Sequence, residues 1–309
     1  MKAPWRGRDG RRSPGSGPIR VSIITPTFNS EAAIERNVRS VLSQRYLYKE
    51  QVFIDKCSTD RTHAIVTNLY HGDTDRGGTR RSAAASQEVH RFISGPDQGI
   101  ADAFNMGIQA ATGDIVAILN SDDYFARDDA LEIVASIFAD NDIEFAYGDI
   151  LFVDPVHGTN RRRPLCCPLT RGMPYYHPAV FVRRTLYDRV GLFCLDYRYC
   201  MDFEWVCRLY RTRKDLNVAG AYIELGSVSA PAVSSLMTPL VVMSSGGAST
   251  VHEMEAVDEI VVALKAHGFW SLEAAIFQNG RRTRIVLKRL LTVAKLNWIV
   301  RMWRNMRNR

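Results

Sequence analysis

The most informative segment of the chain is Ile115-Val116-Ala117-Ile118-Leu119-Asn120-Ser121-Asp122-Asp123. Its first five residues are all apolar, which is typical of a strand in a sheet that is covered on both faces. The strand then delivers two adjacent carboxylates, Asp122 and Asp123, at its C-terminal end. Ligands of open α/β sheets bind beyond this end of the strands. The segment therefore predicts a mostly parallel α/β sheet with an acidic site at one edge.

The segments upstream repeat an alternation of strand and helix. Mainly apolar runs at 21–25 and 52–54 predict strands, and the second run ends at Asp55. Helical spacing is found in four apolar stripes, which are Ile34, Val38, Val41 and Leu42; Ile65 and Leu69; Ala103, Met106, Gly107 and Ala110; and Leu131, Val134 and Phe138. Because alternating strands and helices favour a parallel sheet, we expect Asp55 at the same edge as the Asp122-Asp123 pair.

Paired carboxylates at a strand end suit a divalent cation, because Mg²⁺ and Mn²⁺ take oxygen ligands and bridge groups that would otherwise repel one another. Asp122 and Asp123 are such a pair. The competing interpretation is a solvated acidic turn that caps the next helix, and it is the better explanation of an isolated Asp-Asp pair. The surrounding motifs favour the interpretation of Asp122 and Asp123 as a metal site.

Ten short segments follow one another in a characteristic order along the chain. The most specific of them is Asp97-Gln98-Gly99-Ile100-Ala101-Asp102-Ala103-Phe104-Asn105-Met106-Gly107. The others are residues 22–29, 40–44, 54–62, 111–114, 119–123, 147–149, 177–181, 201–202 and 246–249. Together they cover roughly residues 20–255 and resemble family 2 glycosyltransferases of the GT-A fold. The segment at 97–107 resembles the family motif D-x-G-x-x-D-A-x-N-x-G.

This resemblance implies a Rossmann-like, mostly parallel nucleotide-binding sheet flanked by helices and followed by a C-terminal helical tail. It implies an inverting, metal-dependent enzyme of the hexosyltransferase type, which moves a sugar from a nucleotide-diphosphate donor to an acceptor hydroxyl. The acceptor is then a saccharide or a lipid-linked molecule, as in the synthesis of bacterial cell-surface polysaccharides and glycolipids.

The resemblance also implies roles for single residues. The implied donor contacts are Thr25, Pro26, Asp55, Asp97, Asp102 and Asp122, and the implied ligand of Mn²⁺ or Mg²⁺ is Asp123. Asp202 matches the catalytic base, which is needed because the acceptor hydroxyl loses its proton as it attacks the anomeric carbon. His177 is implied as a contact to the acceptor or the diphosphate.

Three of these residues also have a purely structural interpretation. Asp202 can be a surface acid that pairs with Arg208 at near-helical spacing. His177 can be a packed, hydrogen-bonded histidine. Asp102, together with Asn105, can anchor its helix to a neighbouring loop.

The sequence departs from the family pattern in the donor region and in the acceptor half. Lys56 and Cys57 stand where a small or acidic residue usually follows the aspartate, and Arg61 stands where glycine is common. The connection at 71–91 is longer than usual and is predicted as a loop, and residues 216–243 do not align. The nucleotide base and the acceptor are therefore not predicted.

The formal net charge of +7 is concentrated at the two ends of the chain. Residues 1–20 contain six Lys/Arg and one Asp, residues 281–309 contain ten Lys/Arg and no acid, and residues 21–280 therefore carry a net charge of −8. An acidic body argues against nucleic acid as a partner and suits a carboxylate-rich metal site. The six cysteines lack C-x-x-C spacing, so we expect free thiols in the cytoplasm.

The chain divides into a disordered basic leader (1–19), a GT-A domain (20–255) and C-terminal helices (256–309). The last part places Leu287, Leu291, Ala294 and Trp298 on one helical stripe beside basic residues, which predicts attachment to an anionic membrane surface at the inner face of the cytoplasmic membrane. A helix that packs on the domain with a solvated basic face is the alternative. The charge-free run at 225–251 contains two prolines and is predicted as strands and loops.

Three other classes of protein can contain a nucleotide site of this kind. A sugar nucleotidyltransferase also builds an α/β nucleotide site, but the chain lacks a G-x-G-T-R type loop after the first strand, and it lacks the G-x-G-x-x-G of dinucleotide oxidoreductases. A non-catalytic membrane-associated scaffold with a degraded nucleotide site stays open because of Lys56 and the unaligned segment.

Overall fold

The computed structural model describes residues 17–71, 89–139, 143–154, 158–165, 167–212, 221–222 and 239–293. Most of the predicted leader and the last sixteen residues, from 294 onward, lie outside these ranges. The strands are β1 (Val21–Thr27), β2 (Lys49–Asp55), β3 (Val89–Ser94), β4 (Ile115–Ile118), β5 (Tyr124–Phe125), β6 (Phe145–Tyr147), β7 (Ile150–Asp154), β8 (Gly158–Arg162), β9 (Val180–Arg183), β10 (Ala221–Tyr222) and β11 (Val241–Ser244). The α-helices are α1 (Ile34–Leu42), α2 (Thr62–His71), α3 (Ile100–Ala110), α4 (Ala130–Phe138), α5 (Leu186–Val190), α6 (Met201–Thr212), α7 (Ala248–Val251), α8 (Glu253–Ala266) and α9 (Leu272–Val293).

Strands β1 to β4 form the parallel part of the main sheet, which confirms the predicted α/β fold. Among the described strands the order is β10-β6-β9-β4-β1-β2-β3. The pairing of β1 with β2 runs from Val21 opposite Lys49 to Thr27 opposite Asp55, so both strands end at the same edge. Both faces are covered, because Phe53 packs against α1 and α2 and Ile54 packs with α3.

Helix α3 lies unusually close to β1. A Cβ atom at Gly107 would come within 2.3 Å of the Ile24 side chain, so only glycine permits this approach. Close packing of α3 fixes the helix start, and with it the positions of Asp97 and Asp102, against the end of the parallel strands.

Strand β9 is inserted in the opposite direction between β4 and β6. Its residues Phe181 and Arg183 pair antiparallel with Ala117 and Ile115 of β4. Because the two strands run in opposite directions, β9 begins at the edge where β4 ends. The short 3₁₀ helix His177–Ala179 immediately precedes β9 and is thereby brought to that edge.

A smaller sheet lies beside the first, with the order β5-β11-β7-β8 among the described strands. Strand β11 pairs antiparallel with β5, which directly follows the Asp122-Asp123 pair. It also pairs parallel with β7. Residues late in the chain are therefore held against the predicted metal site.

Helix α8 packs on α6, and α9 packs on α8 and on the short 3₁₀ helix Leu169–Arg171. Ala256, Ile260 and Leu264 of α8 belong to the same buried cluster as Trp205 of α6. In α9, Ala274, Gln278 and Ile285 are buried, and Gln278 Nε2 donates a hydrogen bond to the Thr170 carbonyl at 3.0 Å.

The outward face of α9 carries exposed apolar side chains: Leu272, Ile276, Val286, Leu287 and Leu290. Of the stripe predicted for the tail, Leu287 and Leu291 are described, and Ala294 and Trp298 lie outside the described residues. Among the described helices, none has the length and apolar character that crossing a bilayer requires.

Candidate active site

The carboxyl ends of the parallel strands meet at one edge of the sheet, and most predicted site residues lie there. The strand registers place Thr27 beside Asp55, and Asp55 beside Ser94. Residues 120–123 follow the end of β4, and residues 177–179 precede the start of β9. Residues that are far apart in the sequence thus form one surface.

Asp55 is buried at the end of β2 and organises the turn that follows it. Its carboxylate accepts hydrogen bonds from Thr27 Oγ1 (2.9 Å), Ser94 Oγ (2.9 Å), Ser58 Oγ (2.5 Å) and the Ser58 N–H (2.9 Å). Burial alone would raise the pKa of Asp55, but these hydrogen bonds favour the ionised form and hold the pKa below its ordinary value. Asp55 therefore fixes the shape of this turn, and its contact with a donor stays a prediction.

The two predicted donor contacts on β1 differ in accessibility. Thr25 is fully buried, and its hydroxyl accepts a hydrogen bond from Gln51 Nε2 at 2.9 Å. Pro26 is half-buried and lies one residue before the edge of the sheet. Of the two, Pro26 has the surface that a nucleotide can contact.

Lys56 and Asp97 form an ion pair across the predicted donor site. Lys56 Nζ lies 2.8 Å from Asp97 Oδ1, with 43% of the lysine side chain and 5% of the aspartate side chain exposed. Asp97 also accepts a hydrogen bond from the Gly99 N–H at 2.9 Å. Lys56, where the sequence departs from the family, thus neutralises a buried carboxylate of the motif.

Asp102 lies at the start of α3, where its carboxylate accepts a hydrogen bond from the Gln98 N–H at 3.1 Å, as its structural interpretation predicts.

Asp123 is 2% exposed and is held by residues from three parts of the chain. Its carboxylate accepts hydrogen bonds from the Ser244 N–H at 2.9 Å and from Asn120 Nδ2 at 3.3 Å, and its carbonyl accepts Asn37 Nδ2 at 2.9 Å. Burial and the nearby charge of Asp122 raise the pKa of Asp123 to about 7. Burial also raises the pKa of Asp122. Burial and the charge of Asp122 therefore disfavour the ionised form of Asp123, which an added cation would reverse.

A divalent cation fits this pair, although its ligands are few. No group of three or more His, Cys, Asp or Glu side chains suited to a metal occurs within the described part of the chain. Mg²⁺ in nucleotide sites is usually held by one or two carboxylates plus substrate phosphates and water. The buried Asn120 Oδ1 next to Asp123 accepts no hydrogen bond from the described residues and offers a further oxygen. These few oxygen atoms therefore suit a cation that takes its remaining ligands from a diphosphate and water.

His177 and Asp202 are brought together on the other side of the site. Asp202 Oδ2 lies 3.4 Å from His177 Nδ1, and the two side chains are 25% and 19% exposed. Asp202 stands in the first turn of α6, near the positive end of the helix dipole. The His177 ring packs against Phe104 and Phe193, with centroids 5.2 and 6.0 Å away. Asp202 is therefore a partly exposed carboxylate that lies between the packed imidazole and the Phe203 N–H, which donates to Asp202 Oδ1 at 2.8 Å.

Of the structural interpretations, the pairing of Asp202 with Arg208 is not observed, whereas the anchoring of helix α3 by Asn105 is observed. Arg208 does not pair with Asp202, because its Nε and Nη2 donate to the Glu204 carboxylate at 2.8 and 2.9 Å, and Nη1 and Nη2 also donate to backbone carbonyls. Asn105 does anchor its helix, since its amide exchanges two hydrogen bonds with the backbone of Phe193 at 2.9 and 2.8 Å.

A small cavity of about 20 Å³ lies under the His177-Asp202 pair, with walls that include Phe145, Tyr187 and Trp205. It has room for about one water molecule. The cavity is therefore too small to hold a sugar.

Ser244 is a site residue that the sequence did not reveal. Its N–H binds the Asp123 carboxylate, and its hydroxyl donates to the Asp122 carbonyl at 2.7 Å. It follows directly on the unaligned segment 216–243. The motif Gly246-Gly247-Ala248-Ser249 nearby was the only signal that this region approaches the site.

Comparison with known proteins gives one consistent family. The profile described as Glycosyl transferase family 2 matches residues 22–213. A PGL/p-HBAD biosynthesis glycosyltransferase of Mycobacterium tuberculosis is 30% identical over 217 residues, which cover 67% of this chain and 78% of that protein. The chain spans only about half the length of some other curated relatives that it matches.

Two solved structures share the fold at low sequence identity. Staphylococcus aureus TarS 1–349 in complex with UDP-GlcNAc is 17% identical with a TM-score of 0.56, over 80% of this chain and 66% of that one. The mannosyltransferase PcManGT from Pyrobaculum calidifontis, in complex with GDP-Man and Mn²⁺, is 17% identical with a TM-score of 0.55, over 94% of this chain and 84% of that one. At this identity the similarity establishes the architecture alone.

Proposed function

Because the chain belongs to glycosyl transferase family 2 and has the GT-A fold, we propose that it transfers a sugar from a nucleotide-diphosphate sugar to an acceptor hydroxyl, with inversion at the anomeric carbon. One observation carries the proposal. The Asp122-Asp123 pair, of which Asp123 is buried, and the partly exposed His177-Asp202 pair stand at the same edge of one sheet. The first pair suits a leaving diphosphate, and the second suits an attacking hydroxyl.

The donor binds over the ends of β1, β2 and β4. Pro26 and the turn held by Asp55 contact the base and ribose, and Asp122 and Asp102 contact the ribose and sugar. Asp97 contacts the donor while it remains paired with Lys56. TarS and PcManGT are described with UDP-GlcNAc and GDP-Man, which supports a nucleotide-diphosphate sugar as the class of donor.

Asp123, with Asp122 beside it, would hold Mn²⁺ or Mg²⁺ next to the donor diphosphate. A cation bound there would neutralise the charge that grows on the departing diphosphate. The hydrogen bonds from Ser244 and Asn120 hold the Asp123 carboxylate in place before the donor arrives. The PcManGT complex with Mn²⁺ supports this assignment.

Asp202 is the general base. It takes the proton from the acceptor hydroxyl while the hydroxyl oxygen forms its bond to the anomeric carbon and the bond from that carbon to the diphosphate breaks. His177 orients the Asp202 carboxylate and lines the path of the acceptor. Such a base typically contributes about 10²- to 10⁴-fold to the rate.

The acceptor is a saccharide or a lipid-linked molecule of a cell-surface polysaccharide or glycolipid, and the enzyme works against an anionic membrane. The M. tuberculosis relative, which is named for PGL/p-HBAD biosynthesis, supports this class of product. The outward face of α9 supports the proposed binding to a membrane, because Leu272, Ile276 and Leu290 are 77%, 66% and 60% exposed there. Residues 281–309 add ten basic residues and no acid.

The test is a panel of uridine- and guanosine-diphosphate sugars, assayed with and without Mn²⁺ for calorimetric binding and for release of the nucleoside diphosphate. We expect one donor class to bind with Mn²⁺ and to be consumed, with water as a slow substitute for the acceptor. The matched control is Asp202→Asn, which should bind the same donor without consuming it. Binding without turnover by the wild-type chain would indicate a scaffold, and pyrophosphate release from a nucleoside triphosphate and a sugar phosphate would indicate a nucleotidyltransferase.

A further inference from the structure

Glu259 of α8 binds three consecutive backbone N–H groups just before α6. Its Oε1 accepts the Arg198 N–H, and its Oε2 accepts the N–H groups of Tyr199 and Cys200, each at 2.8 Å. Hydrogen bonds to an ionised carboxylate are about twice as strong as those between neutral groups. A single side chain thus fixes the path of the segment Arg198–Cys200, which we call the lead-in segment.

Two further contacts tie the lead-in segment to the same part of the chain. Cys200 Sγ donates to the Ala256 carbonyl at 3.3 Å. The Tyr199 ring stacks on His252, with centroids 4.7 Å apart. The whole support therefore comes from residues 252–259, about sixty positions later in the sequence.

The lead-in segment runs directly into the first turn of α6. Helix α6 begins at Met201, and the Cys200 carbonyl accepts its first intrahelical bond, from the Glu204 N–H at 3.0 Å. Asp202 follows the lead-in segment after one residue. A shift of this segment would therefore move the Asp202 carboxylate relative to His177 and to the edge of the sheet.

We propose that Glu259 is a positioning residue for Asp202, and this rests on the proposed role of Asp202 as the base. Glu259 acts through the lead-in segment and sets the place of the carboxylate that removes the acceptor proton. Its influence is confined to the transfer step, because the described donor-side carboxylates Asp55, Asp97 and Asp123 have other partners.

The adjacent residue on α8 supplies a matched control. Asp258 pairs with Arg282 of α9, and both side chains are largely exposed, at 56% and 36%. Such surface pairs contribute little to stability, typically below about 1 kcal/mol. Asp258→Asn therefore removes one carboxylate from the same helix turn without touching the lead-in segment.

The experiment compares Glu259→Gln, Asp258→Asn and the wild-type chain for transfer kinetics, donor binding by calorimetry and melting temperature. Glutamine has the size of glutamate, but its NH₂ group faces N–H donors and cannot accept their hydrogen bonds. We expect kcat for transfer to fall about 10- to 100-fold in Glu259→Gln, as for a displacement of roughly 1 Å at a catalytic group. Donor affinity should be unchanged, and Asp258→Asn should match the wild type.

The double variant Glu259→Gln/Asp202→Asn separates positioning from general support. If Glu259 acts through Asp202, the double variant should transfer no more slowly than Asp202→Asn alone. Additive losses, a wild-type rate in Glu259→Gln, or a loss of donor affinity in that variant would each overturn the inference. If Asp202→Asn itself transfers at the wild-type rate, the assignment of the base is wrong, which is a separate failure of the proposed function.

Discussion

The donor side and the acceptor side of this site are built in different ways. On the donor side, Asp55 is held by Ser58 three residues away and by Thr27 and Ser94 on the two neighbouring strands. On the acceptor side, Asp202 meets His177 across 25 residues, and the segment before it is held by Glu259. The donor side is therefore specified mainly by strand ends and their turns. The acceptor side depends on packing between distant helices.

This difference predicts that donor binding and sugar transfer can be impaired separately, by substitutions on different sides of the site. Damage to the strand ends should weaken donor binding, whereas damage to α6, α8 or α9 should reduce transfer and leave the donor bound. The Asp122-Asp123 pair is intermediate, because it follows a strand end but also depends on Ser244 of β11. The following substitutions test the separation, from the largest expected effect to the smallest.

Asp202→Asn should lower the rate of transfer about 100-fold or more, because the amide cannot take the acceptor proton. Donor affinity should stay near the wild-type value, since the donor contacts are on the other side. A transfer assay combined with calorimetric titration of the donor measures both. A matched loss of donor affinity would mean that the two sides are not separate.

Asp123→Asn should weaken donor binding in the presence of Mn²⁺ by about 10-fold or more, because the cation loses a charged ligand. Binding without Mn²⁺ should change little. The exposed Asp128, which pairs with Arg45, supplies the control Asp128→Asn. Titrations of the same donor with and without Mn²⁺ give the comparison, and an equal loss in both would contradict the assignment of Asp123.

Leu287→Ser/Leu290→Ser should reduce co-sedimentation with anionic liposomes several-fold, since each substitution removes apolar side-chain area that would enter the membrane interface. Added salt should weaken binding of both proteins by screening the basic residues. Val262→Ser is the control, because Val262 is an exposed apolar residue of α8. Equal partitioning of the double variant and the wild type would show that this face of α9 is not the membrane contact.

Lys56→Met should weaken donor binding about 3- to 10-fold, because the buried Asp97 carboxylate loses a partly exposed partner. The control is Arg61→Met, which breaks an exposed pair with Glu31 in the same turn. Donor titrations and the KM for the acceptor give the measurement. An effect on the acceptor KM alone would assign Lys56 to the other side of the site.

Much of the parallel core could be predicted from the sequence because its signals are local. Continuous apolar runs indicated β1, β2 and β4, and stripes at helical spacing indicated the helices between them. The carboxylates Asp55 and Asp122 followed these strands directly, so their common edge could be predicted without knowledge of any long-range contact.

The remaining features depend on contacts that no local pattern encodes. Strand β9 has four residues, and its own sequence does not specify that it runs against β4. The bonds from Ser244 to the carboxylate pair and from Glu259 to the lead-in segment join parts of the chain with no shared motif. The pairing of Asp202 with Arg208, which spacing alone suggested as an alternative, does not occur, because Glu204 lies one helical turn before Arg208 and binds the guanidinium.

The bond between Ser244 and Asp123 also has a consequence for the order of events during synthesis. The two residues are 121 positions apart, so at ribosomal rates Asp123 emerges on the order of 10 s before its partner. Strands β1 to β4 can pair during that interval, while the carboxylate pair still lacks the backbone donor that fixes it. A nascent chain can therefore form this part of the sheet first, and the Asp123 carboxylate gains its Ser244 donor only when β11 joins.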